Sequence, residues 1–74
     1  MSLRNFHNGA EIRKYREKLG KNQSAFWARV NVQQSASSRY ESGRTIPMPV
    51  QTMLKLVYGE DKVAAAVLTK LRAE

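Results

Sequence analysis

Seventy-four residues without a cysteine fit one domain with a thin core and exclude disulfides and thiolate metal sites. An apolar content of 42% suits a small helical domain and leaves little room for an internal pocket, and the missing cysteines fit an intracellular setting most simply. The net charge of +7 points to a polyanionic partner, nucleic acid before an anionic membrane surface.

The charge is unevenly spread. Residues 1–45 hold nine Lys/Arg against three Asp/Glu, and residues 46–74 hold four against three. No stretch approaches the ~18 apolar residues of a membrane span, and MSLRNFHNGA at the start lacks the apolar run of a secretion signal. A cytoplasmic protein is expected.

In chain order, residues 1–8 read as a short arm, in which His7, the sole histidine, is an ordinary solvated side chain. Asn8 and Glu11 have the spacing of a capping box, in which each side chain satisfies the other residue's backbone donor. A first helix from Gly9 to about Leu19 follows, with Ile12, Tyr15 and Leu19 on one face and Gly20 ending it. Asn22 predicts the N-cap of a second helix, about Gln23 to Val30, whose Phe26, Trp27 and Val30 form an apolar stripe. The orphan amides at the start of that helix, with the Gln23 side chain, make a corner suited to a phosphate oxygen.

Asn31 tolerates a left-handed backbone and so ends the helix sharply, with Val32 as an apolar plug at the corner. A third helix is predicted over Gln33 to Ser42, closed by Gly43. Ala36, Ser37 and Tyr40 would face inward, and Gln34, Ser35, Ser38 and Arg39 outward. The plain interpretation of residues 23–43 is a helical hairpin with a solvated outer face. Solvated faces usually carry Glu and Lys, which are better helix formers than Ser. A face of amides, hydroxyls and one guanidinium is chemically suited to base edges in a DNA major groove.

Residues 44–49 form a loop, because Pro47 and Pro49 stop a helix from running through. Pro49 fits the first turn of a fourth helix ending near Tyr58. Its Val50, Met53, Leu54 and Val57 make an apolar stripe that fits the core before a partner-binding face, and Gly59 terminates the helix. Asp61 is expected to cap a fifth helix reaching about Ala73, with Val63, Val67 and Leu71 aligned, Leu68 beside them, and Ala64–Ala66 favouring helix. The architecture is therefore all-α with five helices. No Cys/His/carboxylate cluster has metal-ligand spacing, no Gly-rich phosphate loop is present, and one histidine cannot build a Ser-His-Asp set. An enzyme is not expected, nor a cofactor, and control would come through the protein's own concentration or a partner.

From Ile12 to Val57 the chain resembles the helix-turn-helix domain of phage repressor and Cro proteins and of bacterial xenobiotic-response-element-type regulators. The likeness rests on Gln23 opening the motif, Val30 and Val32 flanking the turn, and Ser38-Arg39-Tyr40-Glu41-Ser42-Gly43-Arg44 before Pro47, close to the family's S-R-W-E-x-G-K. The resemblance implies that helices 2 and 3 form a helix-turn-helix, with helix 3 entering the major groove of a near-palindromic double-stranded operator bound by a homodimer. It implies base contacts from Gln34, suited to a bidentate pair with adenine, and from Arg39, Gln33, Ser35 and Ser38. Asn22, Gln23 and Arg44 match phosphate-holding positions, and Arg16 and Glu41 match a buried salt bridge between the first and third helices. Dimer contacts in this family usually lie in the fourth and fifth helices.

The chain departs from the family's pattern in placing Trp27 where a small residue is usual and Ser37 where a branched apolar one is. If the two positions face each other, the exchange roughly conserves core volume. Asn31 stands for the usual glycine. A second interpretation is a protein-interaction module on the same scaffold, an antitoxin or adaptor, marked by surplus apolar surface at Tyr58, Val63 and Leu68.

Overall fold

The computed structural model describes residues 2–73 and contains helices α1 (Gly9–Lys18), α2 (Gln23–Ala28), α3 (Gln34–Glu41), α4 (Met48–Tyr58) and α5 (Asp61–Arg72). α2 packs on α3, α1 crosses α3, and α4 carries α5, within an envelope of 35 × 23 × 18 Å. This is the five-helix arrangement expected, with α2 and α3 as a helix-turn-helix pair.

The sequence reasons for each helix start are visible at the caps. The Asn8 carboxamide oxygen accepts the Ala10 and Glu11 amides at 3.0 and 3.2 Å. Only this half of the expected capping box forms. Asn5 takes the Asn8 amide at 2.9 Å, and the Glu11 carboxylate instead lies 3.8 Å from Lys14 Nζ. Asn22 caps α2 through the Ala25 amide at 2.7 Å. α2 stops at Ala28, two residues short of expectation, because Asn31 at φ 66° turns the chain and the Val32 amide reaches back to the Trp27 carbonyl at 3.1 Å. At the start of α5, Glu60 rather than Asp61 occupies the N-cap, and no side chain bonds the first amides there. Asp61 lies in the first turn, where its charge suits the helix dipole.

The core is aromatic. Phe26 and Tyr58 stack with centroids 4.1 Å apart, and Tyr15 meets both edge-on at 6.2 and 6.0 Å. The Tyr58 hydroxyl donates to the Phe26 carbonyl at 2.6 Å. Tyr58 therefore belongs to the core and does not add to an exposed apolar surface. Each fully buried side chain of this size stabilises the fold by ~1.5–3 kcal/mol. The N-terminal segment also differs from a free arm: Leu3 is buried, and its amide donates to the Tyr58 carbonyl at 2.8 Å. Ile46, inside the 44–47 loop, is buried as well, and Gln51 fixes its carbonyl at 2.9 Å.

α5 contributes least to the core. None of its residues is buried; Val63 and Val67 are half-covered, while Leu68 and Leu71 are 48% and 59% exposed. The apolar stripe read from the sequence is thus divided between α4 and the outside.

Trp27 and Ser37 are both fully buried. Ser37 and Glu41 lie one turn apart on α3, and the Trp27 indole donates to Glu41 at 2.7 Å. Ser37→Ile is expected to overpack the core and lower stability by ~1–3 kcal/mol. Thermal melting checks this, and a raised Tm would refute the compensation.

Candidate nucleic-acid interface

The outer face of α3 presents Gln33, Gln34, Ser35, Ser38 and Arg39, all exposed, while Ser37 and Glu41 are buried. Periodicity explains most of this partition: Ala36, Ser37 and Tyr40 turn inward, and 34, 35, 38 and 39 centre on the opposite side, with Glu41 at the edge between the two faces. Gln33 is the N-cap but makes no side-chain cap bond, so the first amides of α3 have no side-chain acceptor. Between this N-terminus and α2 lies an open recess of about 530 Å³, lined by Ser24, Ala28, Asn31, Val32, Gln33 and Gln34. At the other end of the helix a recess of about 270 Å³ is walled by Arg39, Tyr40, Arg44 and Thr45. Arg39 and Arg44 are exposed and make no ion pair among the described residues, whereas Arg4, Arg13, Lys14 and Arg16 do. This end of the domain therefore presents uncompensated positive charge.

A buried network holds α3 at its angle. The Glu41 side chain is 3% exposed and accepts four hydrogen bonds. One oxygen takes Arg16 Nε at 2.9 Å and the Trp27 indole N–H at 2.7 Å. The other takes Arg16 Nη2 at 2.9 Å and Gln23 Nε2 at 3.1 Å. The remaining Arg16 terminal nitrogen donates to the Lys21 carbonyl at 2.9 Å. One carboxylate thus ties α1 and α2 to the C-terminal end of α3, and Arg16 adds the α1–α2 loop. Burial raises the Glu41 pKa, but the hydrogen bonds from Arg16, Trp27 and Gln23 outweigh it and hold the carboxyl below the usual range. The same bond raises Arg16.

The residues matched to phosphate-holding positions have different freedoms. The Asn22 side-chain oxygen is spent on its cap, which leaves its amide group to donate. Gln23 gives one N–H to Glu41 and accepts the Ser38 hydroxyl at 3.3 Å, so a single N–H stays free. Arg44 has its whole guanidinium free of ion pairs, and its backbone amide is fixed to the Arg39 carbonyl at 3.0 Å.

Trp27 was legible only as part of an apolar stripe. The signal for its second role is chemical: a buried indole N–H needs an acceptor, and Glu41 is one of six acidic residues in the chain. Among the described residues no three His, Cys, Asp or Glu are grouped to hold a metal, and no described helix is long and apolar enough to cross a membrane. A family model described as RsaL-like HTH domain matches residues 13–57, which takes in α1 from its second turn, the helix-turn-helix and almost all of α4. No curated protein and no solved structure matches the chain.

Proposed function

Because the chain belongs to the RsaL-like helix-turn-helix domain family, we propose that it is a sequence-specific transcriptional regulator binding a near-palindromic operator as a homodimer. The observation that carries this is the α3 face: five exposed polar side chains on a helix whose other face is locked by the Glu41 network. In this reading Gln34 makes the principal base contact, and Arg39, Gln33, Ser35 and Ser38 read neighbouring edges. Asn22, Gln23 and Arg44 hold phosphates on either side. The likeness of residues 12–57 to phage repressor and Cro proteins supports the twofold arrangement and a bacterial or phage origin, with the protein in the cytoplasm. Leu68 and Leu71, exposed on α5, are suited to the contact between two copies. The same exposed pair is what favours the second reading, an antitoxin or adaptor whose main partner is another protein.

Selection from a random duplex library at ~150 mM salt separates the readings. Wild type is expected to enrich a near-palindrome, and Gln34→Ala to relax it at matching positions of both half-sites, at ~1–3 kcal/mol per lost bidentate contact. With several phosphate contacts, affinity should fall by orders of magnitude between ~50 and ~200 mM salt. A salt-insensitive, purely protein-binding activity with no enriched motif would overturn the DNA reading.

A further inference from the structure

From the hydrogen-bond polarity of the Glu41–Gln23–Ser38 chain, we infer that Ser38 reads its base edge only as an acceptor and therefore selects an exocyclic amine, on adenine N6 or cytosine N4, with Gln23 as the positioning residue that imposes this. The inference rests on the base-reading role proposed for α3 and specifies the chemistry of one position.

The argument runs outward from the core. An ionised carboxylate only accepts hydrogen bonds. Glu41 is kept ionised by Arg16, so the end of the Gln23 side chain facing it at 3.1 Å is the NH₂ group. A reversed amide would set oxygen against oxygen. The Gln23 carbonyl oxygen consequently points to Ser38, 3.3 Å from its hydroxyl oxygen. A carbonyl oxygen can only accept, and of these two oxygens only the serine's carries a proton to give. The Ser38 proton is thus committed inward, and the exposed side of its hydroxyl carries lone pairs alone. A phosphate oxygen, guanine O6 or N7 and thymine O4 are all acceptors and are poor partners for it. The amines of adenine and cytosine are the major-groove donors.

Every base pair has one amine-bearing and one carbonyl-bearing partner, so the signature is an orientation preference. A·T and C·G should be taken together, against T·A and G·C. The experiment is selection with wild type, Ser38→Ala, Gln23→Leu and the near-isosteric Gln23→Met, with each variant's fold checked by thermal melting. At the position that responds to Ser38→Ala, wild type should favour the amine orientation by about three- to tenfold, the range of one hydrogen bond. The Gln23 variants free the Ser38 proton and should reduce this to within about twofold, while the preference set by Gln34 persists. Replacing the adenine there with purine, which lacks the exocyclic amine, should cost wild type the same factor and leave Ser38→Ala unaffected.

A preference for the carbonyl orientation would overturn the inference. So would no response to Ser38→Ala, or an unchanged preference in both folded Gln23 variants, even though a palindrome is still selected. A wild type that enriches no motif overturns the DNA-reading role and this inference with it.

Discussion

Glu41→Gln is expected to lower the stability of the folded domain by ~3–5 kcal/mol, because it removes one partner of a buried ion pair and leaves the Arg16 charge uncompensated. The substitution keeps side-chain volume, so packing loss does not account for the effect. What changes is donor–acceptor balance. Four donors converge on the Glu41 oxygens at 2.7–3.1 Å, and an amide supplies one oxygen and one further donor group. For a domain of this length that loss shifts Tm by more than about 10 °C, readable by circular dichroism, and a change within a degree or two would refute the role of the network.

The pair also sets a pH dependence. The Glu41 pKa is depressed in the folded state, so its contribution is fully present above the ordinary glutamate value of ~4.3. It is lost as pH falls through the lower folded value, where the unfolded chain binds the proton more readily. Wild type should therefore lose stability progressively below about pH 4, and Glu41→Gln should show a flatter acid limb.

Gly9→Ala is the second large effect, and its sign is a contest. Alanine is preferred to glycine within a helix by ~1 kcal/mol, and Gly9 opens α1, so propensity alone predicts a gain. The structure predicts a loss. A β-carbon at Gly9 would run into the Tyr40 carbonyl oxygen and lie 2.7 Å from its carbon. Both obstacles are backbone, which no rotamer change relieves, so α1 must move off α3. The cost is expected at or above the ~1–3 kcal/mol typical of overpacking, with DNA affinity reduced because α1 sets the position of α3 through Arg16. Urea unfolding measures the sign directly, and a stabilised variant would show that α1 and α3 are not in such close contact.

The helical framework was legible in local chemistry. Asn22 as a cap, Asn31 as the left-handed corner, Gly20 ending α1 and the apolar spacing of Phe26, Trp27 and Val30 all act within one or two turns, and the structure has each of them. The polar face of α3 was legible for the same reason, since periodicity alone assigns residues to faces. The Arg16–Glu41 pair was reached through the family likeness, because twenty-five residues separate its members and no local pattern joins them.

What tertiary structure decided are relations between distant segments. Leu3 reads as part of a short arm, and in the structure it is buried, with its amide on the Tyr58 carbonyl at the end of α4. Tyr58 sits beside a terminating glycine, and the Phe26 ring and carbonyl, with the Tyr15 ring, draw it into the core. Gly9 reads as a helix start, and only the approach of α3 makes its missing side chain necessary. The direction of the Ser38 proton is the furthest from local sequence, since it is fixed through Gln23 by a carboxylate whose charge Arg16 maintains. The sequence by itself determined which residues form helices and which faces they bury, because propensity, caps and periodicity are short-range. The angle of α3 and the hydrogen-bonding sense of its outer face were decided by packing, because they depend on which donors converge on one buried acceptor.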